Sequence, residues 1–163
     1  MKFIIFLLFG IGLYLYLKNR NEIETWVAET IEETTEMIKK GYDEIYRRWG
    51  ELRQLDWRLI KAVAIVESSE RAEVIGDDGR SFGLMQVSKV VGASYGMTVE
   101  DLLDPNLNVQ VGSGFLAEMI NRYGLEGGIQ AYNLGETKYR KGLRSPNYLS
   151  KVMTEFNKLQ QIV

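Results

Sequence analysis

Ile60, Val63, Ala64 and Glu67 are spaced three, one and three residues apart, which places all four on one face of a helix. Glu67 thus stands at the end of an apolar stripe, near the end of a helix expected over 57–69 with Asp56 as its N-cap. A carboxyl withdrawn from water keeps its proton to higher pH, because desolvation penalises the charged form. That is what a general acid needs at neutral pH. From the spacing alone two readings stay open. Glu67 is either a proton donor, or a solvated stripe-edge acid paired with Arg71 four residues on.

Absences narrow the chemistry further. The 163 residues contain no cysteine and no histidine. Disulfides, thiol nucleophiles and thiolate metal sites are excluded, as are Ser-His-Asp and Cys-His hydrolases and HExxH zinc enzymes. Proton transfer falls to a carboxylate, a lysine or a tyrosine. A formal net charge of −2 offers no basic footprint, so no nucleic-acid partner is expected. The acids show no ligand cluster of metal-binding spacing, and no metal or organic cofactor is expected.

An ordered set of short motifs surrounds the glutamate. Glu67-Ser68-Ser69 is followed by Gly76-Asp77-Asp78-Gly79-Arg80-Ser81-Phe82-Gly83-Leu84-Met85-Gln86-Val87, then Asp104-Pro105-Asn106-Leu107-Asn108. Ala131-Tyr132-Asn133-Leu134-Gly135 and Tyr148-Leu149-Ser150 complete it. The set resembles the lytic transglycosylases of the soluble (Slt) type and the related goose-type lysozymes, over about 54–159. Each piece alone is weak; five in the same order are strong.

The resemblance implies peptidoglycan glycan strands as substrate and Glu67 as the catalytic acid. It implies that Ser81, Gly83, Met85 and Gln86 belong to a segment lining the glycan groove, with Leu84 between them. Tyr132 and Asn133 would flank the acid, and the Tyr148 hydroxyl would reach the same cleft. Plainer roles stand beside these. Leu84 and Met85 suit a core, Gln86 and Asn133 suit buried amides, Tyr132 suits a packing aromatic, and Asn133-Leu134-Gly135 suits a helix stop.

Most glycosidases use two carboxylates. The resemblance implies one: Glu67 protonates the β-1,4 oxygen between N-acetylmuramic acid and N-acetylglucosamine, then takes the C6 hydroxyl proton as a 1,6-anhydro ring closes. An alternative is hydrolysis with Asp77 as second carboxylate. Asp77 aligns with an aspartate of the goose-type enzymes, but a further family aspartate is replaced here by Ser88. A third reading is a non-catalytic glycan-binding membrane protein on the same scaffold.

The elements that must position these residues define an α+β, mainly α, lysozyme-like domain over 54–163. A small β-hairpin lobe is expected near 74–87, because Gly-Asp-Asp-Gly is a turn sequence. Helices are expected over about 106–123, 126–133 and 146–160, with Asp104 as an N-cap and Pro105 at the first helical position.

Ahead of the domain, 21–53 reads as a helical stalk. Ile23, Val27, Ile31, Ile38, Tyr42, Ile45, Trp49 and Leu52 recur at helical spacing, and Glu36/Lys40, Asp43/Arg47 and Glu44/Arg48 add favourable i,i+4 pairs. Its first half suits a spacer or self-association surface, and its second half suits packing on the domain. Residues 3–17, FIIFLLFGIGLYLYL, carry no charge and are framed by Lys2, Lys18 and Arg20. We expect 1–20 to form a single-pass transmembrane anchor rather than a cleaved signal peptide, with the domain on the cell-wall side, or in a virion membrane for a phage protein.

Overall fold

The computed structural model describes residues 20–161; in the first helix the side chains at 21–23, 26 and 31–40 lie outside that description. Among the described residues no helix is long and apolar enough to cross a membrane. This overturns the expected transmembrane helix, and with it the membrane as partner and the single-pass localisation. The run at 3–17 lies outside the described residues. Two helices have the length of a span but not its surface. α1 (Arg20–Arg53) carries acids or bases on nearly every turn. α4 (Pro105–Leu134) spends its apolar side chains on the core and displays Glu118, Arg122 and Glu126.

Residues Gly41–Val163 form one compact unit. Its first element is the end of α1, where Tyr46 is fully buried in the core and Trp49 Nε1 donates to Asn106 Oδ1 at 2.9 Å. Gly50 lets the chain turn back: a Cβ there would lie 2.9 Å from the Leu55 carbonyl and 3.0 Å from Trp57 Cα. α2 (Trp57–Ser68) starts where Asp56 accepts the Arg58 amide at 2.9 Å. It ends on Ser69 at φ 55, whose N–H caps the carbonyls of Ala64 and Ile65. Ile60, Val63 and Ala64 are fully buried.

The lobe is a three-stranded antiparallel sheet of two-residue strands, β1 (Ile75–Gly76), β2 (Ser81–Phe82) and β3 (Val87–Ser88), in that order. Ile75 pairs with Phe82 and Phe82 with Val87. Asp77, Asp78 and Gly79 close the first turn at φ 50, 54 and 84, a left-handed run that short polar side chains and glycine tolerate best. Ser88 caps α3 (Lys89–Ser94) by accepting the Val91 amide at 3.2 Å. A 3-10 turn (Asp101–Leu103) leads to Asp104, which accepts the Leu107 amide at 2.9 Å with Pro105 at the first helical position.

The two helices expected over 106–123 and 126–133 form the single element α4, broken at Gly124, whose φ of 72 and ψ of 172 are not helical. α5 (Glu136–Arg140) and α6 (Pro146–Gln161) complete the unit, and α6 packs on α2. The structure therefore supports a mainly helical domain with a small β lobe.

One polar side chain ties the lobe to the helices. Asn108, fully buried on α4, donates to the carbonyls of Phe82 (2.8 Å) and Leu102 (2.7 Å) and accepts the Met85 amide (2.8 Å). Buried backbone groups left without partners cost about 1–3 kcal/mol each. We expect Asn108→Ala to lower unfolding free energy by about 3–5 kcal/mol. Asp104→Ala, an exposed cap, should lower it by about 1 kcal/mol. Urea unfolding of the two variants checks the order, and equal losses would refute the clamp.

Candidate active site

Glu67 occupies the last turn of α2, half-buried, and its Oε1 accepts a 2.6 Å hydrogen bond from the Tyr148 hydroxyl on α6. Its pKa is pushed up to about 7. Burial is the chief cause; the Tyr148 bond opposes it, and the nearby charge of Asp77 adds to it. Burial also drives the phenols of Tyr148 and Tyr132 well above their ordinary range, with the charge of Glu67 adding to both. Both tyrosines are therefore neutral donors. Arg71, the alternative partner for Glu67, turns instead to the Ser68 carbonyl at 3.1 Å.

Ser68 faces the other way. Its buried hydroxyl donates to the Leu84 carbonyl at 2.8 Å, joining the end of α2 to the loop between β2 and β3. The Tyr132 hydroxyl donates to the Met85 carbonyl at 2.7 Å in the same loop. Gly83 (φ 72) and Gln86 (φ 45) are the loop's left-handed corners, and a Cβ on Gly83 would collide with the Asn108 amide and the Leu102 carbonyl.

A cleft of about 770 Å³ opens between the lobe and the helices. Glu67, Ser81, Gln86, Tyr132 and Asn133 all line it. Gly83, Met85 and Tyr148 are not among its lining residues. Met85 is fully buried against Gly112, so it reaches the site only through its backbone bonds to Asn108 and Tyr132. Tyr148 stands behind Glu67. Gln86 commits its amide nitrogen to the carbonyls of Val74 and Gly83, both at 3.0 Å, while its Oε1 lies over Gly76, a lining residue. The Ser81 hydroxyl donates to Asp77 Oδ2 at 2.9 Å, and Asn133 Oδ1 accepts from Ser145 at 2.9 Å.

Sequence reasoning missed Phe115, Val90, Arg80, Lys89 and Lys138, all of which also line the cleft. The Phe115 ring lies 5.6 Å from that of Tyr132, and Val90 is 80% exposed. Phe115 carries the same signal as any core aromatic on a helix. The cations carry none beyond their nearness to the motifs.

A half-buried carboxyl at a helix end, between a small β lobe and a helical body, is the arrangement of a lysozyme-like glycan-cleaving enzyme. Residues 44–154 match the Transglycosylase SLT domain family, and the chain belongs to that family. It is a lytic transglycosylase, an enzyme that cleaves peptidoglycan. The Invasion protein IagB of Salmonella typhi is 29% identical over 133 residues, covering 77% of this chain and 82% of that protein. Its counterpart from Salmonella typhimurium (strain SL1344) is 30% identical over 131 residues, covering 76% and 81%. The lytic transglycosylase Slt of Pseudomonas aeruginosa, solved as an inactive mutant, superposes with a TM-score of 0.54 at 20% identity over 67% of this chain. This chain spans 20% of the length of that one, and the likeness shows the fold.

The raised pKa of Glu67 has a cost in stability. Between the unfolded value of 4.5 and the folded value of about 7 the native state binds more protons than the unfolded chain. The favourable contribution of the neutral carboxyl is complete below the unfolded value and is lost as pH rises through 7. Glu67→Gln cannot ionise. We expect it to gain stability over wild type between pH 5 and pH 8, by on the order of 2 kcal/mol after allowing for partial exposure. Denaturant titrations at both pH values check this; a difference independent of pH would mean that Glu67 ionises freely in the folded state.

Proposed function

We propose that Glu67 is the acid, and then the base, of a transglycosylation that ends in a 1,6-anhydro sugar. The observation that carries the reading is its half-buried carboxyl, which keeps its proton up to a pKa of about 7, on the wall of a cleft of about 770 Å³. In the first step the Glu67 proton passes to the glycosidic oxygen as the bond from C1 to that oxygen breaks. In the second the carboxylate removes the C6 hydroxyl proton, and O6 bonds to C1. The glutamate ends as it began, and no water is consumed.

The other groups would position rather than react. Gln86 and Asn133 offer amide atoms for acetamido and hydroxyl groups of the sugars, and Ser81 holds Asp77 at the cleft. Tyr132, Gly83 and Met85 fix the loop that bears Gln86. Tyr148 orients the acid, supplying a hydrogen bond without a positive charge that would strip its proton. The Pseudomonas aeruginosa Slt of the same fold, inactive as a variant with glutamine in place of a glutamate, agrees with dependence on one glutamate.

One observation favours hydrolysis instead: Asp77 lines the cleft and its charge reaches Glu67. Mass spectrometry of digested sacculi separates the two. We expect anhydro-ended muropeptides from wild type, a loss of about 10²–10⁴-fold in Glu67→Gln, and continued anhydro product in Asp77→Asn. Reducing ends that disappear in Asp77→Asn would establish hydrolysis.

The pH profile is a separate check. With the acid titrating at about 7, kcat/KM should fall tenfold per pH unit above that point. Tyr148→Phe removes the bond that lowers the pKa, so its alkaline limb should move to higher pH. An unmoved limb would show that another group sets the profile.

A further inference from the structure

The cleft carries charge that its sugars do not require. N-acetylated hexosamine rings are neutral at every hydroxyl and acetamido group, yet Arg80, Lys89 and Lys138 all line the cleft. Over the whole chain acids outnumber bases, 22 to 20. In the cleft the balance reverses: these three cations face only Glu67 and Asp77. With Glu67 protonated, Asp77 is the one negative charge.

The cations are not spoken for by structure. The ion pairs formed among the described residues involve other side chains, such as Lys61 with Asp43 and Arg122 with Glu118 and Glu136. Arg80 Nε donates to the Asp77 backbone carbonyl at 2.8 Å, not to its carboxylate. None of the three is among the groups that shift Glu67, so they do not act as its counter-ions. Their backbones are also held in place. Lys89 opens α3, and its amide donates to the Arg80 carbonyl at 2.9 Å. Lys138 rides on α5, which is pinned to α4 by Tyr123 and Arg122 on Glu136 and by a tilted contact of the Tyr139 and Tyr123 rings, centroids 4.9 Å apart.

We propose that Arg80, Lys89 and Lys138 bind carboxylates carried by the muramic residues, so that the cleft prefers anionic wall-derived strands to neutral N-acetylglucosamine polymers. This rests on the reading of the cleft as the glycan site. Two groups can supply the carboxylate: the lactyl acid of muramic acid, free once its peptide is removed, and the acids of the stem peptide. Exposed ammonium–carboxylate pairs are individually weak and are screened by salt. Their effect is therefore on binding and selectivity, not on the chemical step.

The test measures binding in the full chain carrying Glu67→Gln, so that no ligand is consumed. Soluble peptide-bearing strands, the same strands stripped by an amidase, and neutral N-acetylglucosamine oligomers are compared. Adding Lys89→Gln and Lys138→Gln should weaken binding of the peptide-bearing strands about three- to tenfold. The loss should shrink in ~1 M salt, leave the neutral oligomers unchanged, and be largely restored by Lys89→Arg with Lys138→Arg. A loss confined to peptide-bearing strands assigns the stem acids, a loss confined to stripped strands assigns the lactyl acid, and a loss on both assigns the two carboxylates together. No loss on either, or an equal loss on neutral oligomers, overturns the proposal. If the chain with both lysines intact binds none of the three, the reading of the cleft itself fails and the proposal falls with it.

Discussion

A carboxyl that is to hold its proton near neutral pH must sit where water is scarce, yet a substrate must still reach it. Dry surroundings make the ionised form unfavourable, so nothing about Glu67 itself keeps it there; the scaffold must. Three side chains from two helices, Ser68 of α2 and Asn108 and Tyr132 of α4, do this by seizing backbone groups of one short loop. Ser68 takes the Leu84 carbonyl, Tyr132 takes the Met85 carbonyl, and Asn108 takes the Met85 amide and the Phe82 carbonyl. Leu84 and Met85 are fully buried beneath them. The floor of the cleft is thus held by satisfied polar bonds inside the core, where a misplaced partner would be costly.

Two acids three residues apart, Glu67 and Glu70, have opposite surroundings. Glu70 lies 4.0 Å from the Lys61 ammonium, which also pairs with Asp43, and the same corner holds the buried Tyr46 phenol, pushed up by burial and by Glu70. Among the described residues the partner of Glu67 is the Tyr148 hydroxyl, which offers a hydrogen bond but no charge. The cations of the cleft stand where they do not shift it. Moving one of them next to Glu67 would stabilise the carboxylate and remove the acid.

Local features were legible in the sequence because their causes are local. The stripe of Ile60, Val63, Ala64 and Glu67, the caps at Asp56 and Asp104, the turn at 76–79 and the mainly helical class with a β lobe follow from periodicity and side-chain chemistry within a few residues. The bond from Tyr148 to Glu67 spans 81 positions and that from Tyr132 to Met85 spans 47. Spacing says nothing about such pairs, and only the family resemblance pointed to those tyrosines. Met85 was open between groove and core, and its place depends on the loop. A residue between the left-handed corners Gly83 and Gln86 does not follow strand alternation, so its side chain enters the core. The expected membrane span rested on the hydropathy of 3–17 and its flanking charges, and that run lies outside the described residues. The cations at 80, 89 and 138 left no trace, since only the folded chain brings them together.

The helical side of the cleft depends on a break in α4. From Gly112 to Tyr132 a straight helix would advance about 30 Å, yet both residues line the same cleft. The Phe115 and Tyr132 rings are only 5.6 Å apart. Gly124, at φ 72, reverses the chain at little steric cost, and Gly128 lets the two arms close, since a Cβ there would lie 2.5 Å from the Ile120 Cα. The first arm then brings Asn108 to clamp the loop. The second brings Tyr132 and Asn133 to the same place, and the helix stops at Gly135 so that α5 can follow with Lys138. One glycine with a left-handed backbone thus sets the distance between the clamp, the acid's neighbours and the cationic rim.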